Sequence, residues 1–271
     1  MTTSEQPVCL ITGVGDGTGA SCARRFAAGG YRVAMLARKE ERMQSFTSGV
    51  LPHLLVAAVP VGLLLLEPDF GGAVMILTLT FAMLFVGGAR VAHLGAMVAA
   101  VAPVAVWLVW ATPYRLARVL GFLDPFADAR GGGFQLVQSF LAFGNGGVTG
   151  VGLGSGKQKL FYLPEGHTDF IFAILGESLG LLGAVFVLVC FGAVAWRGFA
   201  VAARSLDRFS SLLAFGITFL LVTQAILNIG VVTGLLPTKG MPLPLLSYGG
   251  SSMLTTGLLA GILLSLSRET R

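Results

Sequence analysis

The sequence predicts an all-α polytopic membrane protein with about six transmembrane helices, preceded by a short α/β fragment. Hydrophobic residues make up 55% of the chain and charged residues only 11%, and the mean hydropathy is +0.83. A soluble domain of this size has too little interior for so many apolar side chains. The apolar residues form six runs that approach or exceed the ~20 residues needed to cross a bilayer: 51–66, 70–88, 94–111, 170–196, 212–236 and 253–266.

The positions of basic residues predict the orientation of these spans. Arg90, Arg204 and Arg268 all fall on one side of the membrane if the runs alternate in direction. Positive residues favour the cytoplasmic side, so we expect both termini there and the segments 112–169 and 236–250 outside. The net charge of +5 then reflects topology and contact with anionic membrane lipids, and no basic run indicates nucleic-acid binding.

The N-terminal segment, residues 1–45, has a different pattern: an apolar strand, a glycine-rich turn, a helix and a second apolar strand. Gly13, Gly17 and Gly19 resemble the TGxxxGxG fingerprint of short-chain dehydrogenases. One βαβ unit cannot cover both faces of its sheet, and the chain has no Tyr-x-x-x-Lys pair. We therefore interpret the glycines as a vestigial cofactor fingerprint and expect no bound cofactor. The membrane domain is predicted to span residues 46–271.

An ionisable cluster, LPEGHTDF, precedes the fourth apolar run and contains Glu165, His167 and Asp169. Ionisable groups at the mouth of a membrane helix are functional-site candidates by default. The alternative is a simple helix cap, because Thr168 and Asp169 are residue types that favour the first position of a helix. Spacing alone does not choose between these two interpretations.

Three segments in order resemble the FtsW/RodA (SEDS) family of cell-wall glycosyltransferases: PYRLARVLGFLDPF, LPEGHTDFIFAILGE and LLPTKGMPLPLLSYGGSS. The PTKG variant resembles FtsW, the division member, more than RodA, the elongation member. The resemblance implies a lipid II polymerase of septal peptidoglycan synthesis in the bacterial inner membrane. It also implies a class B penicillin-binding protein and other division proteins as partners. Proteins of this family have ten spans, and this chain resembles the last six, so it looks truncated and fused to the α/β fragment.

The resemblance also assigns roles to individual residues. Asp169 matches the family's proposed catalytic aspartate and is expected to act as general base. Lys239 is the first choice for contact with the pyrophosphate of undecaprenyl-linked disaccharide peptide, with Arg115 and Arg118 as second choices. The alternative for all three basic residues is anchoring at the lipid headgroups.

The remaining candidates have more ambiguous roles. Glu165 and His167 are expected to shape the loop or to bind substrate. Ser247 belongs to the family-like SYGGSS motif, whose serines can also simply cap the last helix. Asp69 is expected to cap a helix at an outward-facing turn. The glycine-rich stretch 131–156 is predicted to be a flexible segment that covers the substrate.

Three classes of function remain open at this stage. The favoured one is a membrane glycosyltransferase. The alternatives are a non-catalytic scaffold or lipid-linked precursor transporter, and, less favoured, an NADP-dependent oxidoreductase. No structural metal is expected, because the three His residues are scattered and no CxxC spacing occurs.

Overall fold

The computed structural model describes residues 8–12, 32–36, 44–129, 131–156 and 166–269. The described residues form two strands, β1 (Val8–Thr12) and β2 (Arg32–Leu36), and eight helices after a π-helical turn at Phe46–Val50. The helices are α1 (Leu51–Leu66), α2 (Phe70–Val86), α3 (Val91–Trp110), α4 (Pro113–Leu123), α5 (Phe134–Gly146), α6 (Ile171–Arg204), α7 (Arg208–Val232) and α8 (Gly250–Glu269).

The two strands pair in parallel, with Val8 opposite Arg32 and Thr12 opposite Leu36. Both lie where the sequence predicts apolar strands. The predicted helix between them, and the fingerprint residues Gly13, Gly17 and Gly19, lie outside the described residues.

Five helices of the described chain are long and apolar enough to cross a membrane: Phe46–Leu66, Val91–Trp110, Ile171–Arg204, Arg208–Val232 and Gly250–Arg268. The prediction of a polytopic helical membrane protein is confirmed. The remaining predicted span, at 70–88, corresponds to α2. This helix has 17 residues, which is the lower end of the range for a spanning helix. Large apolar side chains on α6 face outward, among them Leu182, Phe186 and Val189 at 63%, 68% and 62% exposure, as a lipid-facing surface requires.

The centre of the bundle is the pair α6 and α7, against which α5 also packs. Phe172 and Ile174 of α6 are buried with Ala225 and Val231 of α7 in one apolar cluster. Gly146 of α5 meets α6 so closely that a Cβ there would overlap the backbone of Gly176. Because Gly146 has no side chain, the backbones of α5 and α6 pack directly against each other.

The predicted outer loop, residues 112–169, contains two helices. α4 is amphipathic and begins at a proline in its first turn, and α5 is partly buried through Leu136, Ser139 and Ala142. Ser139 Oγ donates a 2.6 Å hydrogen bond to the Val232 carbonyl at the end of α7. The expectation of a flexible covering segment is therefore wrong for α5, because the small residues there allow close packing.

α6 is broken at Gly180, where φ is 68° and ψ is −163°, a conformation that is essentially restricted to glycine. The segment 147–152 lies in the break. The break leaves backbone groups on both sides of Gly180 without helical partners, and this segment supplies four hydrogen bonds of 2.9–3.3 Å in their place. The bonds are Val151 N to Glu177 O, Gly152 N to Ser178 O, Leu181 N to Gly147 O and Leu182 N to Val148 O. A broken helix within a membrane is stable when protein groups replace its lost hydrogen bonds in this way.

Candidate active site

Asp169 lies immediately before α6, and the PTKG segment packs directly against it. The helix has Phe170 at its N-cap position and no side-chain capping hydrogen bond from that residue, so neither Thr168 nor Asp169 occupies the N-cap position. A Cβ built on Gly240 would lie 2.7 Å from Asp169 Oδ2. Glycine at position 240 therefore provides the space that the half-buried carboxylate occupies.

The Asn228 side chain of α7 connects the segment that contains Asp169 to the segment that contains Met241. Its Nδ2 donates to the Asp169 carbonyl at 2.7 Å and to the Met241 carbonyl at 2.5 Å. The side chain is only 2% exposed. Since one amide holds both backbone carbonyls, the position of Asp169 is fixed relative to the segment that follows Gly240.

Ser247 makes the same kind of connection at the other end of the loop. Its hydroxyl donates to the Thr168 carbonyl at 2.5 Å and accepts from the Leu243 amide at 2.6 Å. The Tyr248 amide donates to the His167 carbonyl at 3.0 Å. Ser247 is 1% exposed and is a loop-to-loop link rather than a cap of α8.

Lys239 lies across the beginning of α2. Its aliphatic chain and Nζ occupy the space that a Cβ on Gly71 would fill. Burial lowers the pKa of Lys239 to about 8, and the nearby Asp69 carboxylate offsets part of that effect. An ammonium that is partly desolvated interacts more strongly with an anion than a fully hydrated one does.

Asp69 has two contacts with this part of the site. As predicted, it caps α2, because its Oδ1 accepts a 2.8 Å hydrogen bond from the Gly72 amide. Its carboxylate also contributes the favourable charge that keeps Lys239 protonated near neutral pH.

The two arginines of PYRLAR lie on the same side of the molecule as Lys239. The Arg115 guanidinium lies 5.2 Å from the centre of the Phe70 ring and donates a 3.2 Å hydrogen bond to the Leu108 carbonyl. The Arg118 guanidinium lies 4.5 Å from the centre of the Tyr114 ring, and its Nη1 is 3.5 Å from the Thr238 carbonyl, next to Lys239. The structure thus brings Arg115, Arg118, Lys239 and Asp169 to one end of the bundle.

The other predicted site residues are less informative. His167 is exposed and is joined to the site through its carbonyl, while Glu165 lies outside the described residues. Sequence reasoning missed Asn228, Gly71 and Gly240. The detectable signal was the pair Gln224 and Asn228 in an apolar span, because polar side chains four residues apart on a membrane helix mark a functional face. Gln224 Nε2 indeed donates to the Pro242 carbonyl at 3.0 Å.

The arrangement combines one half-buried carboxylate with several cations at a loop-covered end of a membrane bundle. A carboxylate can take a proton from a hydroxyl, and an ammonium or guanidinium can stabilise a departing phosphate. In the described residues, no group of three or more His, Cys, Asp or Glu side chains is placed to bind a metal ion.

Residues 30–271 match the model of the FtsW/RodA/SpoVE family of cell cycle proteins. The chain belongs to this family. The match begins inside the predicted α/β fragment and extends through every helix described above. The resemblance inferred from the three motifs is thereby confirmed for the membrane part of the chain.

Relatives in this family are similar over most of the chain. A protein of Geobacter metallireducens named as a probable peptidoglycan glycosyltransferase FtsW is 45% identical over 241 residues, which cover 89% of this chain and 64% of that protein. A protein of Thioalkalivibrio sulfidiphilus with the same name is 45% identical over 243 residues, covering 89% and 61%. The chain therefore spans less than two thirds of the length of these relatives.

Two solved structures share the fold. A chain from a study of how a peptidoglycan synthase complex coordinates polymerization and crosslinking has a TM-score of 0.69 and 31% identity, covering 85% of this chain and 66% of that one. The rod shape determining protein RodA of Thermus thermophilus has a TM-score of 0.54 and 28% identity, covering 85% and 61%. This chain is a multi-pass membrane protein of the same architecture.

Proposed function

We propose that this chain is the catalytic part of an FtsW-type peptidoglycan glycosyltransferase, with lipid II as substrate. The observation that supports the proposal best is the contact of the Asp169 carboxylate with Gly240, the residue after Lys239. This contact brings the carboxylate to the segment that carries Lys239, although the two are far apart in the sequence. The greater identity to proteins named FtsW than to RodA favours the division role over elongation.

The reaction joins two sugars and releases a lipid-linked pyrophosphate. A sugar hydroxyl attacks the anomeric carbon of a second glycan, and the bond from that carbon to the pyrophosphate oxygen breaks with inversion. Asp169 accepts the proton that the hydroxyl loses as it attacks. The electron pair of the broken bond goes to the pyrophosphate, whose charge Lys239 stabilises, assisted by Arg118 and Arg115.

The remaining candidates support this geometry. Asn228 and Ser247 hold the backbone around the base, so they are positioning residues. His167 and Glu165 either shape the loop before α6 or bind the substrate. The site faces outward, where lipid II and the growing glycan are located, and both termini are cytoplasmic by the distribution of arginines.

A class B penicillin-binding protein is the proposed partner. Support comes from the structural neighbour, which is part of a peptidoglycan synthase complex that polymerises and crosslinks. A polymerase whose product must be crosslinked gains from a transpeptidase bound beside it, because the product then need not diffuse to a second enzyme.

The proposal is tested by joining residues 46–271 to the first four spans of a complete FtsW and measuring lipid II polymerisation with the partner present. Asp169→Asn keeps the shape and removes the base, so the rate should fall ~10²–10⁴-fold. Lys239→Ala should reduce the rate and Lys239→Arg should retain part of it. Asp124→Asn is the matched control, because Asp124 is exposed and accepts a hydrogen bond from the Ala127 amide, a bond that asparagine can keep. An Asp169→Asn protein that polymerises at the unmodified rate would refute the mechanism.

A further inference from the structure

An apolar groove lies between α6, α7 and α8, toward the end of α6 farthest from Asp169. Its volume is about 460 Å³, and its walls include Val201 of α6, Leu221 of α7 and Leu263 and Leu264 of α8. Leu245, from the loop between α7 and α8, lines it as well. This volume is within the range of sites that hold small organic ligands. Ala260 and Ala200 also line the groove, and their small side chains help to keep it open.

Two arginines lie on the α6 wall of the groove. Arg197 and Arg204 are both exposed and both line it. They are seven positions apart in the sequence, so they lie about two turns apart on the same face of α6, with backbones ~10.5 Å apart. Within the described part of the chain, neither guanidinium has a hydrogen bond or an ion pair. Arg208, only four residues on, instead donates a 2.9 Å hydrogen bond to the Gly87 carbonyl.

We propose that this groove is a binding site for an anionic phospholipid. The phosphate lies between Arg197 and Arg204, and an acyl chain lies along the apolar wall toward Leu221. The charge requires an anion and the wall requires hydrocarbon, and among membrane components an anionic phospholipid supplies both in one molecule. Arginine suits the phosphate because its planar guanidinium donates two parallel hydrogen bonds.

The site is distinct from the proposed active site and does not depend on its chemistry. Asp169 precedes the first turn of α6, whereas Arg204 is its last residue. The lipid would occupy the other leaflet from the proposed site of polymerisation. Its effect would be to bridge α6 and α8, which both line the groove.

Trp196 provides a local probe for the test. It is 77% exposed and precedes Arg197 in the sequence. The full chain, with Trp107→Phe and Trp110→Phe, is reconstituted in phosphatidylcholine vesicles that contain brominated phosphatidylglycerol or, separately, brominated phosphatidylcholine at the same mole fraction. Bromine quenches tryptophan at short range, so the ratio of the two quenching curves gives the local preference for the anionic lipid.

We expect a several-fold preference for phosphatidylglycerol in the unmodified groove. Arg197→Gln and Arg204→Gln should each reduce it toward one. Arg90→Gln is the charge-matched control, because Arg90 is exposed but does not line this groove, and it should leave the preference unchanged. Ala260→Phe, which fills the groove without changing charge, should also reduce the preference.

The opposite results would overturn the proposal. Equal quenching by the two lipids would mean that the groove does not select an anionic phospholipid, whether it holds neutral lipid or a protein segment. An equal loss in Arg90→Gln would mean that only the net charge of the chain attracts the lipid. A preference that survives Ala260→Phe would mean that the headgroup binds without the groove.

Discussion

Replacing Gly71 with alanine should raise the pKa of Lys239 without destabilising the fold. The added methyl group would occupy the space where the lysine side chain lies. The lysine chain is flexible, so it can move away at little cost, and the ammonium then enters solvent. Alanine also forms helix more readily than glycine, by up to ~1 kcal/mol in a helix interior. The variant should therefore fold at least as stably as the unmodified chain.

The expected change in Lys239 is large. With a pKa of about 8, half of the Lys239 amines are neutral at pH 8. In water the lysine pKa is ~10.4, so only ~0.4% would be neutral at the same pH. The reactive fraction at pH 8 therefore falls roughly 100-fold when the side chain is displaced.

Competitive amine acylation measures this change without any enzymatic activity. The purified chain is labelled with an acylating reagent between pH 6 and 11, and mass spectrometry gives the extent of modification at Lys239. The midpoint of the curve should lie near 8 in the unmodified protein and move up by about two units in Gly71→Ala.

Gly62→Ala is the matched control, because Gly62 lies inside α1 and a Cβ there has nothing within 4 Å. This control should leave the labelling midpoint near 8. A midpoint near 10.4 in the unmodified chain, or no difference between the two alanine variants, would refute the proposed burial of Lys239 against α2.

Three further outcomes are expected. Asn228→Leu removes both hydrogen bonds to the Asp169 and Met241 carbonyls, so it should cost ~1–3 kcal/mol. A melting temperature equal to that of the unmodified protein would contradict this. Gly180→Ala forces a side chain into a backbone conformation that only glycine adopts and into the backbone of Gly150. Its melting temperature should therefore be well below that of the control Gly192→Ala, whose Cβ meets nothing within 4 Å. In the grafted enzyme, the polymerisation rate should decline as the pH rises through about 8, because Lys239 is charged below its pKa and neutral above it. Lys239→Arg should abolish that decline. The same decline in the arginine variant would mean that another group causes it.

The sequence predicted the membrane helices well because their signal is local. Runs of apolar residues predict α1, α3, α6, α7 and α8, and no knowledge of residues elsewhere in the chain is needed. α4 and α5 were missed because they are short and amphipathic, and their glycines and polar residues resemble those of a loop. Gly146 of α5 and Gly180 at the break in α6 are instead required for close packing. That requirement depends on a partner about thirty positions away in the chain, which a local pattern does not reveal.

The candidate site was predictable in composition but not in construction. Asp169 and Lys239 could be named from motifs, and their common face followed from alternating spans. Their actual connection runs through Asn228, Gly71 and Gly240, none of which has a charge or a motif of its own. Helix capping at Asp169 was an equally good interpretation of the sequence, and the structure places Phe170 at the N-cap position instead.

The break in α6 gives the first nine residues of this helix a second connection to the residues after Gly180, through segment 147–152. An unbroken rod transmits tilt from one membrane surface to the other, so any change in bilayer thickness would rotate both of its ends together. At Gly180 the rod is interrupted, and segment 147–152 is bonded to the outer piece at Glu177 and Ser178 and to the inner piece at Leu181 and Leu182. A change in the tilt of the inner piece, which carries Arg197 and Arg204, therefore reaches Asp169 through segment 147–152 as well as through Gly180 itself.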